Sequence, residues 1–198
     1  MWLSWFGLAA LFGSIPFGFL VARARGVDVR AVGSGNIGAT NVARAIGKPL
    51  GLLVLALDAA KGALALLVLA WAGLDGAPRF VAAHALALGG LLAVLGHCFT
   101  PWLGFRGGKG VATSLGVLLV WEPRALALAL LVFAALFARG RRVSLGSLGA
   151  AASLPLTLAW LGHDLGSLGI AAGLVTVVAF QHRENLARLR GGSEPSLE

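Results

Sequence analysis

The feature that most constrains this chain is a series of long apolar runs separated by short polar segments. A bilayer interior offers the backbone no hydrogen-bond partner, so only helices and closed β-barrels span it. Only 12% of the residues are charged, whereas soluble domains carry roughly 25%. The pattern predicts an all-α, polytopic membrane helix bundle with apolar runs at about residues 2–21, 50–73, 80–96, 111–121, 124–138, 145–161 and 165–180.

The length of 198 residues leaves room for one compact bundle. No long internal repeat and no second domain are visible, so residues 1–198 are interpreted as a single integral-membrane domain. No basic residue precedes the first run, which favours a first span over a cleaved signal peptide. The tail at residues 191–198 is expected to be frayed.

The distribution of Lys and Arg predicts the orientation in the membrane. With seven spans, thirteen basic residues fall on one side and two on the other, while Lys61 lies within a span. If the short fourth run did not cross, the sides would hold eight and seven, and the bias would vanish. Because basic residues collect on the cytoplasmic side, the sequence predicts seven transmembrane helices, an external N-terminus and a cytoplasmic C-terminus.

The formal net charge is +8. In a soluble protein such a charge suggests nucleic acid. In this membrane chain the charge is interpreted as a consequence of topology. Attraction of anionic substrates is a second interpretation, and the two are compatible. No nucleic-acid partner is expected.

Three polar, glycine-containing segments interrupt the apolar sequence on the predicted cytoplasmic side, at residues 33–44, 97–113 and 182–191. They offer glycine backbone, amides, hydroxyls, Arg, Lys and His, with Glu184 as their one acidic residue. Successive backbone N–H groups form an anion nest, and Arg and Lys supply positive charge. This inventory suits a phosphate-bearing ligand in a pocket shared by the segments. It does not suit a divalent metal, and neither a metal nor a cofactor is expected.

Two patterns in these segments resemble nucleotide-binding motifs, but the surrounding sequence argues against both. Residues 33–38 match G-x-G-x-x-G, but a membrane span follows them and no βαβ series is present. Residues 107–110 resemble a P-loop, yet its first glycine would fall at Leu103 and its Ser or Thr at Gly110. What remains is glycine backbone and Lys109 at the start of the fourth run, where a helix N-terminus attracts an anion.

Asp58 and Lys61 lie three residues apart inside the second run, on one helix face. Intramembrane charges are functional by default, but pairing of these two with each other is the favoured interpretation. His84 and His163 are expected to be bystanders. For His97, a functional role and a packing role both stay open.

His182 and Asn185 share a helical face at i and i+3. His182 is interpreted as a ligand or proton-transfer residue beside amide groups. Ser144 follows the basic loop at residues 139–142 and suits a helix N-cap. Ser147, three positions on, would point into the same inner region, and which serine contacts substrate stays open.

In these three segments the chain strongly resembles the bacterial glycerol-3-phosphate acyltransferases that use acyl-phosphate as donor. Residues 33–44, 107–113 and 182–191 are similar to that family's three cytoplasmic motifs, with Ile37 where many members have Pro. The resemblance implies transfer of a fatty acyl group to the 1-hydroxyl of glycerol 3-phosphate, giving lysophosphatidic acid and phosphate. This would be the first step of bacterial phospholipid synthesis, at the cytoplasmic face of the inner membrane.

The resemblance, together with the glycine nest, implies the site residues. Catalytic roles fall to Ser34, Asn36, Lys109, His182 and Asn185. Substrate and phosphate binding falls to Gly33, Gly35, Gly38, Thr40, Asn41, Arg44, Gly107, Gly108 and Ser147. The implied partners are glycerol 3-phosphate, fatty acyl-phosphate and membrane lipid. The oligomeric state stays open, with a monomer as one option.

An acyl-phosphate is a mixed anhydride with a good leaving group, so the reaction needs positioning and oxyanion stabilisation more than acid catalysis. The segments contain no Ser-His-Asp set, and no covalent acyl-enzyme is expected. Either His182 or a substrate phosphate oxygen would accept the hydroxyl proton. A transporter would need comparable polar groups at the other membrane face, and a lipid-binding scaffold would not need three such segments.

Overall fold

The computed structural model describes residues 2–72 and 74–196, and within these residues every regular element is helical. The α-helices are α1 (Trp2–Ser14), α2 (Phe17–Arg23), α3 (Ala39–Ile46), α4 (Lys48–Ala72), α5 (Arg79–Ala83), α6 (Ala85–Cys98), α7 (Val111–Trp121), α8 (Pro123–Gly140), α9 (Val143–Trp160), α10 (Leu165–Gln181) and α11 (Arg183–Arg190). Short 3-10 turns lie at Val29–Ala31 and Pro101–Leu103. The all-α prediction is confirmed for the described residues.

Five helical stretches among the described residues are long and apolar enough to cross a membrane, or up to six if the bent pair α10 and α11 counts as one span. The fourth predicted span coincides with α7, which has 11 residues where a span usually needs about 20. The count of seven and the orientation therefore stay predictions. The last residue of the predicted run 50–73, Gly73, lies outside the described residues.

Two of the predicted apolar runs are broken in the structure. The first run breaks between α1 and α2, where Pro16 has no N–H to continue the helix. Side chains donate to main-chain carbonyls at this break: Thr100 Oγ1 lies 2.6 Å from the Ser14 oxygen and Lys61 Nζ lies 2.6 Å from the Ile15 oxygen. The third run breaks at His84, between α5 and α6. Hydrophobicity alone did not reveal these breaks.

The chain divides into two compact units, Met1–Trp121 and Glu122–Glu198. In the first unit, α4 packs against α1, α3, α6 and α7. Glycines allow the closest approaches, because a Cβ at Gly62 would strike the Thr113 carbonyl of α7 and a Cβ at Gly116 would strike the Ala59 carbonyl of α4. The prediction of a single domain stays a prediction.

In the second unit, α9 packs against α8 and α10, and the chain bends by 65° between α10 and α11. At one end, Glu122 accepts hydrogen bonds from Arg124 at 2.8 and 3.0 Å and contacts His163 Nε2 at 2.8 Å. The Arg124 bonds, aided by His163, lower the pKa of Glu122 to about 2. His163, which was predicted to be a bystander, therefore joins two turns of this unit.

The predicted fraying of the C-terminal tail is wrong at Glu194. This side chain is buried, and Ser144, Asn185 and Arg188 donate hydrogen bonds to its carboxylate. Arg142 Nε also donates to the main-chain oxygen of Glu194 at 3.1 Å. Charge-assisted bonds of this kind order a tail that composition alone predicts to be loose. Residues 197 and 198, also in the predicted tail, lie outside the described residues.

Candidate functional site

The segment at residues 33–44 is organised around the buried side chain of Asn41, on the first turn of α3. Its amide nitrogen lies 3.0, 3.0 and 2.9 Å from the carbonyl oxygens of Val29, Val32 and Asn36. Its oxygen accepts the Ser34 N–H at 3.0 Å. Both ends of the amide are therefore engaged within the loop, and Asn41 shapes the site from inside. Its predicted role as a substrate ligand stays a prediction.

Two glycines make this loop conformation accessible. Gly33 and Gly35 have φ values of 58° and 66°, in the left-handed region that favours glycine. A Cβ at Gly33 would also strike the Asn41 side-chain oxygen. Asn36 Oδ1 accepts the Gly38 N–H at 2.8 Å and so turns the chain into α3. The G-x-G-x-x-G spacing thus encodes a tight loop before a helix N-terminus.

Two polar side chains of this segment reach solvent. Ser34 and Arg44 are exposed, while Asn36 and Thr40 are half-buried. Thr40 and Arg44 are four residues apart on α3 and share a helix face. The exposed Arg44 guanidinium, in the last turn of α3, suits an anionic ligand that arrives from water.

The glycine segment before α7 is bound directly to the end of α6. The Gly107 N–H donates to the Cys98 carbonyl at 3.0 Å, and the Gly108 N–H donates to the His97 carbonyl at 3.1 Å. These two N–H groups, which the sequence suggested for an anion nest, are therefore used inside the protein. Lys109 follows them and is half-buried rather than freely exposed to water.

The predicted pairing of Asp58 with Lys61 is confirmed, because Lys61 Nζ lies 2.7 Å from Asp58 Oδ1. Both side chains are only 2% exposed. His97 joins them, with its Nδ1 atom 2.8 Å from Lys61 Nζ. The three groups form one buried cluster in the first unit.

In the second unit, the third predicted segment lies at the bend between α10 and α11. His182 is buried, and its Nδ1 lies 2.8 Å from the Val178 carbonyl oxygen. A carbonyl oxygen only accepts, so the neutral ring carries its proton on Nδ1 and its lone pair on Nε2. That tautomer suits a proton acceptor.

Asn185, three residues later, donates from Nδ2 to Glu194 Oε1 at 2.6 Å. Ser144 Oγ donates to the same oxygen at 2.6 Å, and Arg188 Nε donates to the other at 2.7 Å. Burial alone would raise the pKa of Glu194, but the bonds from Ser144, Asn185 and Arg188 outweigh it and lower the pKa below its usual value. Glu194 is thus a buried carboxylate anchor.

Sequence reasoning missed Glu194, although it is the first acidic residue after a basic helix. Its bond to Ser144 bears on the open choice between the two serines. The Ser144 hydroxyl is committed to Glu194, whereas Ser147 is buried one turn further along α9. Ser147 is therefore the better candidate for a substrate contact.

Comparison with known proteins finds similarity over nearly the whole chain. A sequence model of the glycerol-3-phosphate acyltransferase family matches residues 3–192. A glycerol-3-phosphate acyltransferase of Myxococcus xanthus is 51% identical over 188 residues, which cover 94% of this chain and 95% of that protein. One from Geobacter sulfurreducens is 46% identical over 187 residues, covering 94% and 93%.

Two solved structures are also similar. One is a crystal structure of PlsY (YgiH), an integral membrane glycerol 3-phosphate acyltransferase, in its glycerol 3-phosphate form. It has a TM-score of 0.90 at 40% identity and covers 100% of this chain and 96% of that chain. The lysophosphatidic acid form of the same protein has a TM-score of 0.87 at 39% identity, covering 100% and 95%.

Proposed function

The chain belongs to the glycerol-3-phosphate acyltransferase family, and from that premise we propose that its acyl donor is a fatty acyl-phosphate. The acyl group passes to the 1-hydroxyl of glycerol 3-phosphate, and the products are lysophosphatidic acid and inorganic phosphate. The observation that carries the proposal is the loop at residues 33–38, which holds the exposed Ser34 and leads into α3, whose last turn holds the exposed Arg44. The similar PlsY structures have glycerol 3-phosphate and lysophosphatidic acid forms, which supports the same substrate and product here.

In the first unit, we assign phosphate binding to Arg44 and Lys109, which bring positive charge to anionic groups. Ser34 and Thr40 supply hydroxyl donors, and Asn36 holds the turn that begins α3. Gly33, Gly35 and Gly38 give the loop its shape, while Asn41 fixes it from inside. Gly107 and Gly108 set the backbone before Lys109 rather than donating to substrate.

In the second unit, we assign proton transfer to Nε2 of His182, or alternatively to a phosphate oxygen of the substrate. Asn185 is oriented by Glu194, and we assign its amide to substrate binding. Ser147 is the third polar group assigned to binding. That the two units act on one shared substrate stays a prediction.

The reaction needs no cofactor. The oxygen of the 1-hydroxyl attacks the acyl carbonyl carbon, and its proton passes to the acceptor. A tetrahedral oxyanion forms, which Lys109 stabilises by its charge. The bond between the acyl carbon and the phosphate oxygen then breaks, and the electron pair leaves with phosphate. Because phosphate is a good leaving group, direct transfer without an acyl-enzyme is sufficient.

We propose that the enzyme lies in the bacterial inner membrane with seven spans, α7 and the bent α10–α11 pair included. The N-terminus is external and the active site faces the cytoplasm, which the charge distribution supports. A short α7 would place its N-terminus, next to Lys109, below the membrane surface. Cysteine labelling from either side of intact membrane vesicles tests this topology.

The function is tested with purified protein in lipid nanodiscs, supplied with acyl-phosphate and glycerol 3-phosphate. Lys109→Ala and Asn36→Ala should each abolish formation of lysophosphatidic acid, while circular dichroism shows the folded helix content. Varying both substrates should give intersecting double-reciprocal lines. Parallel lines, or a serine-bound acyl group trapped during turnover, would refute direct transfer.

A further inference from the structure

The buried cluster of Asp58, Lys61 and His97 connects separate parts of the first unit. Asp58 and Lys61 lie on α4, and His97 lies in the last turn of α6. Their side chains are 2%, 2% and 3% exposed. A buried ion pair is weak evidence for stability, because desolvation offsets the attraction. The geometry of His97, the third residue of the cluster, points to a role other than stability.

The Lys61 ammonium group has three close polar neighbours. It lies 2.7 Å from Asp58 Oδ1, 2.6 Å from the Ile15 carbonyl oxygen and 2.8 Å from His97 Nδ1. An ammonium group only donates, so His97 Nδ1 accepts and the imidazole proton sits on Nε2. Lys61 thereby fixes both the tautomer and the orientation of the His97 ring.

The opposite edge of the His97 ring rests against the glycine segment. A Cβ at Gly108 would strike Nε2, and it would lie 2.6 Å from Cε1 of the same ring. The main chain is joined at the same place, since the Gly108 N–H donates to the His97 carbonyl at 3.1 Å. Ring and backbone together hold Gly108, and Lys109 is the next residue.

We infer that Asp58, Lys61 and His97 form a positioning cluster that places Lys109 by fixing the backbone at Gly107 and Gly108. Lys61 orients the imidazole of His97, and Gly108 packs directly against that ring. Asp58 supplies the charge that keeps the ammonium group in place. The inference rests on the proposed phosphate-binding role of Lys109 and deepens it.

The variant His97→Asn isolates the positioning role. The Asn side-chain oxygen can take the place of Nδ1 and accept from Lys61, while the atoms Nε2 and Cε1 that face Gly108 are removed. The main-chain hydrogen bond from the Gly108 N–H to the carbonyl of residue 97 can still form. Because a displacement of about 1 Å can change activity by about 100-fold, we expect the KM for glycerol 3-phosphate to rise about tenfold or more. The value of kcat should also fall, since Lys109 is assigned to the oxyanion as well.

The matched control is His84→Asn. His84 is also buried, and its Nδ1 contacts the Phe80 carbonyl at 2.8 Å, but it lies before α6 rather than at its end. Hydrogen exchange without substrate gives a readout independent of activity. His97→Asn should speed exchange in peptides covering residues 99–113 while α4 stays protected, and His84→Asn should leave these peptides unchanged.

A double-mutant cycle tests the contact itself. Gly108→Ala alone should raise the KM, because its methyl group strikes the ring. In the His97→Asn background the space is open, so the same substitution should have at least threefold less effect. Independent effects of the two changes would overturn the inference, as would unchanged exchange at residues 99–113. An inactive wild-type protein would instead refute the proposed function, and the exchange experiment would still decide on the positioning cluster.

Discussion

Replacing Glu194 by Gln tests whether a charged anchor holds the C-terminal tail. Ser144, Asn185 and Arg188 donate to its carboxylate at 2.6, 2.6 and 2.7 Å. Gln keeps one oxygen, which can still accept from Ser144 and Asn185. Its NH2 group would face the Arg188 N–H, so two donors would oppose each other. The substitution changes almost no volume and therefore probes charge.

The size of the effect follows from these bonds. A hydrogen bond to a charged group contributes about 1.5–3 kcal/mol, and a neutral one about 0.5–1.5 kcal/mol. The variant loses one charged bond and turns two others into neutral ones. Arg188 is 34% exposed and regains part of its hydration. We expect the free energy of unfolding to fall by about 3 kcal/mol, which lowers the melting temperature by about 6–12 °C in a chain of this size.

The pH dependence provides a second signature. Since the native pKa of Glu194 is lowered, the stability contributed by its carboxylate is present above the usual value of 4.5. It is lost as pH falls through the native pKa. The difference in melting temperature between the wild type and Glu194→Gln should therefore narrow in acid.

Thermal unfolding in detergent micelles, followed by circular dichroism, measures both effects. The matched control is Glu184→Gln, an exposed carboxylate on α11, whose stability change should stay within about 0.5 kcal/mol. Equal melting temperatures for the two variants at neutral pH would refute the claim that the Glu194 carboxylate holds the C-terminal tail.

Further predictions concern the loop before α3 and the opposite end of the second unit. Gly33→Ala should reduce activity at least tenfold, whereas Gly26→Ala, which has φ of 74° but open space around it, should not. Asn41→Asp keeps the oxygen that accepts from Ser34 but loses the amide donor, so activity should fall with the helix content unchanged. Glu122→Gln should lower the free energy of unfolding by about 1–2 kcal/mol. Because the Glu122 pKa is lowered from 4.5 to about 2, this difference in thermal unfolding should be full above pH 4.5 and should shrink as the pH falls towards 2.

The helical class of this protein was readable from the sequence, because backbone in lipid has few alternatives to a helix. The breaks at Pro16 and His84 were not predicted. At the Pro16 break, the Ser14 carbonyl accepts a hydrogen bond from Thr100, 86 residues later. Such compensation depends on tertiary contacts that apolar runs do not encode.

In the candidate site, too, local features were predicted from the sequence and long-range contacts were not. Glycines and an Asn at fixed spacing predicted the loop at residues 33–38, but not that Asn41 would be used inside it. The pairing of Asp58 with Lys61 followed from helical spacing. The addition of His97, 36 residues from Lys61, did not. Glu194 was missed because its partners lie up to 52 residues away in the chain.

The most direct test of the proposed activity is a comparison of acyl donors with purified protein in nanodiscs. Acyl-phosphate with glycerol 3-phosphate should yield one inorganic phosphate per lysophosphatidic acid formed. The same acyl chain offered as its coenzyme A thioester should yield no product. Product from the thioester but not from acyl-phosphate would contradict the account.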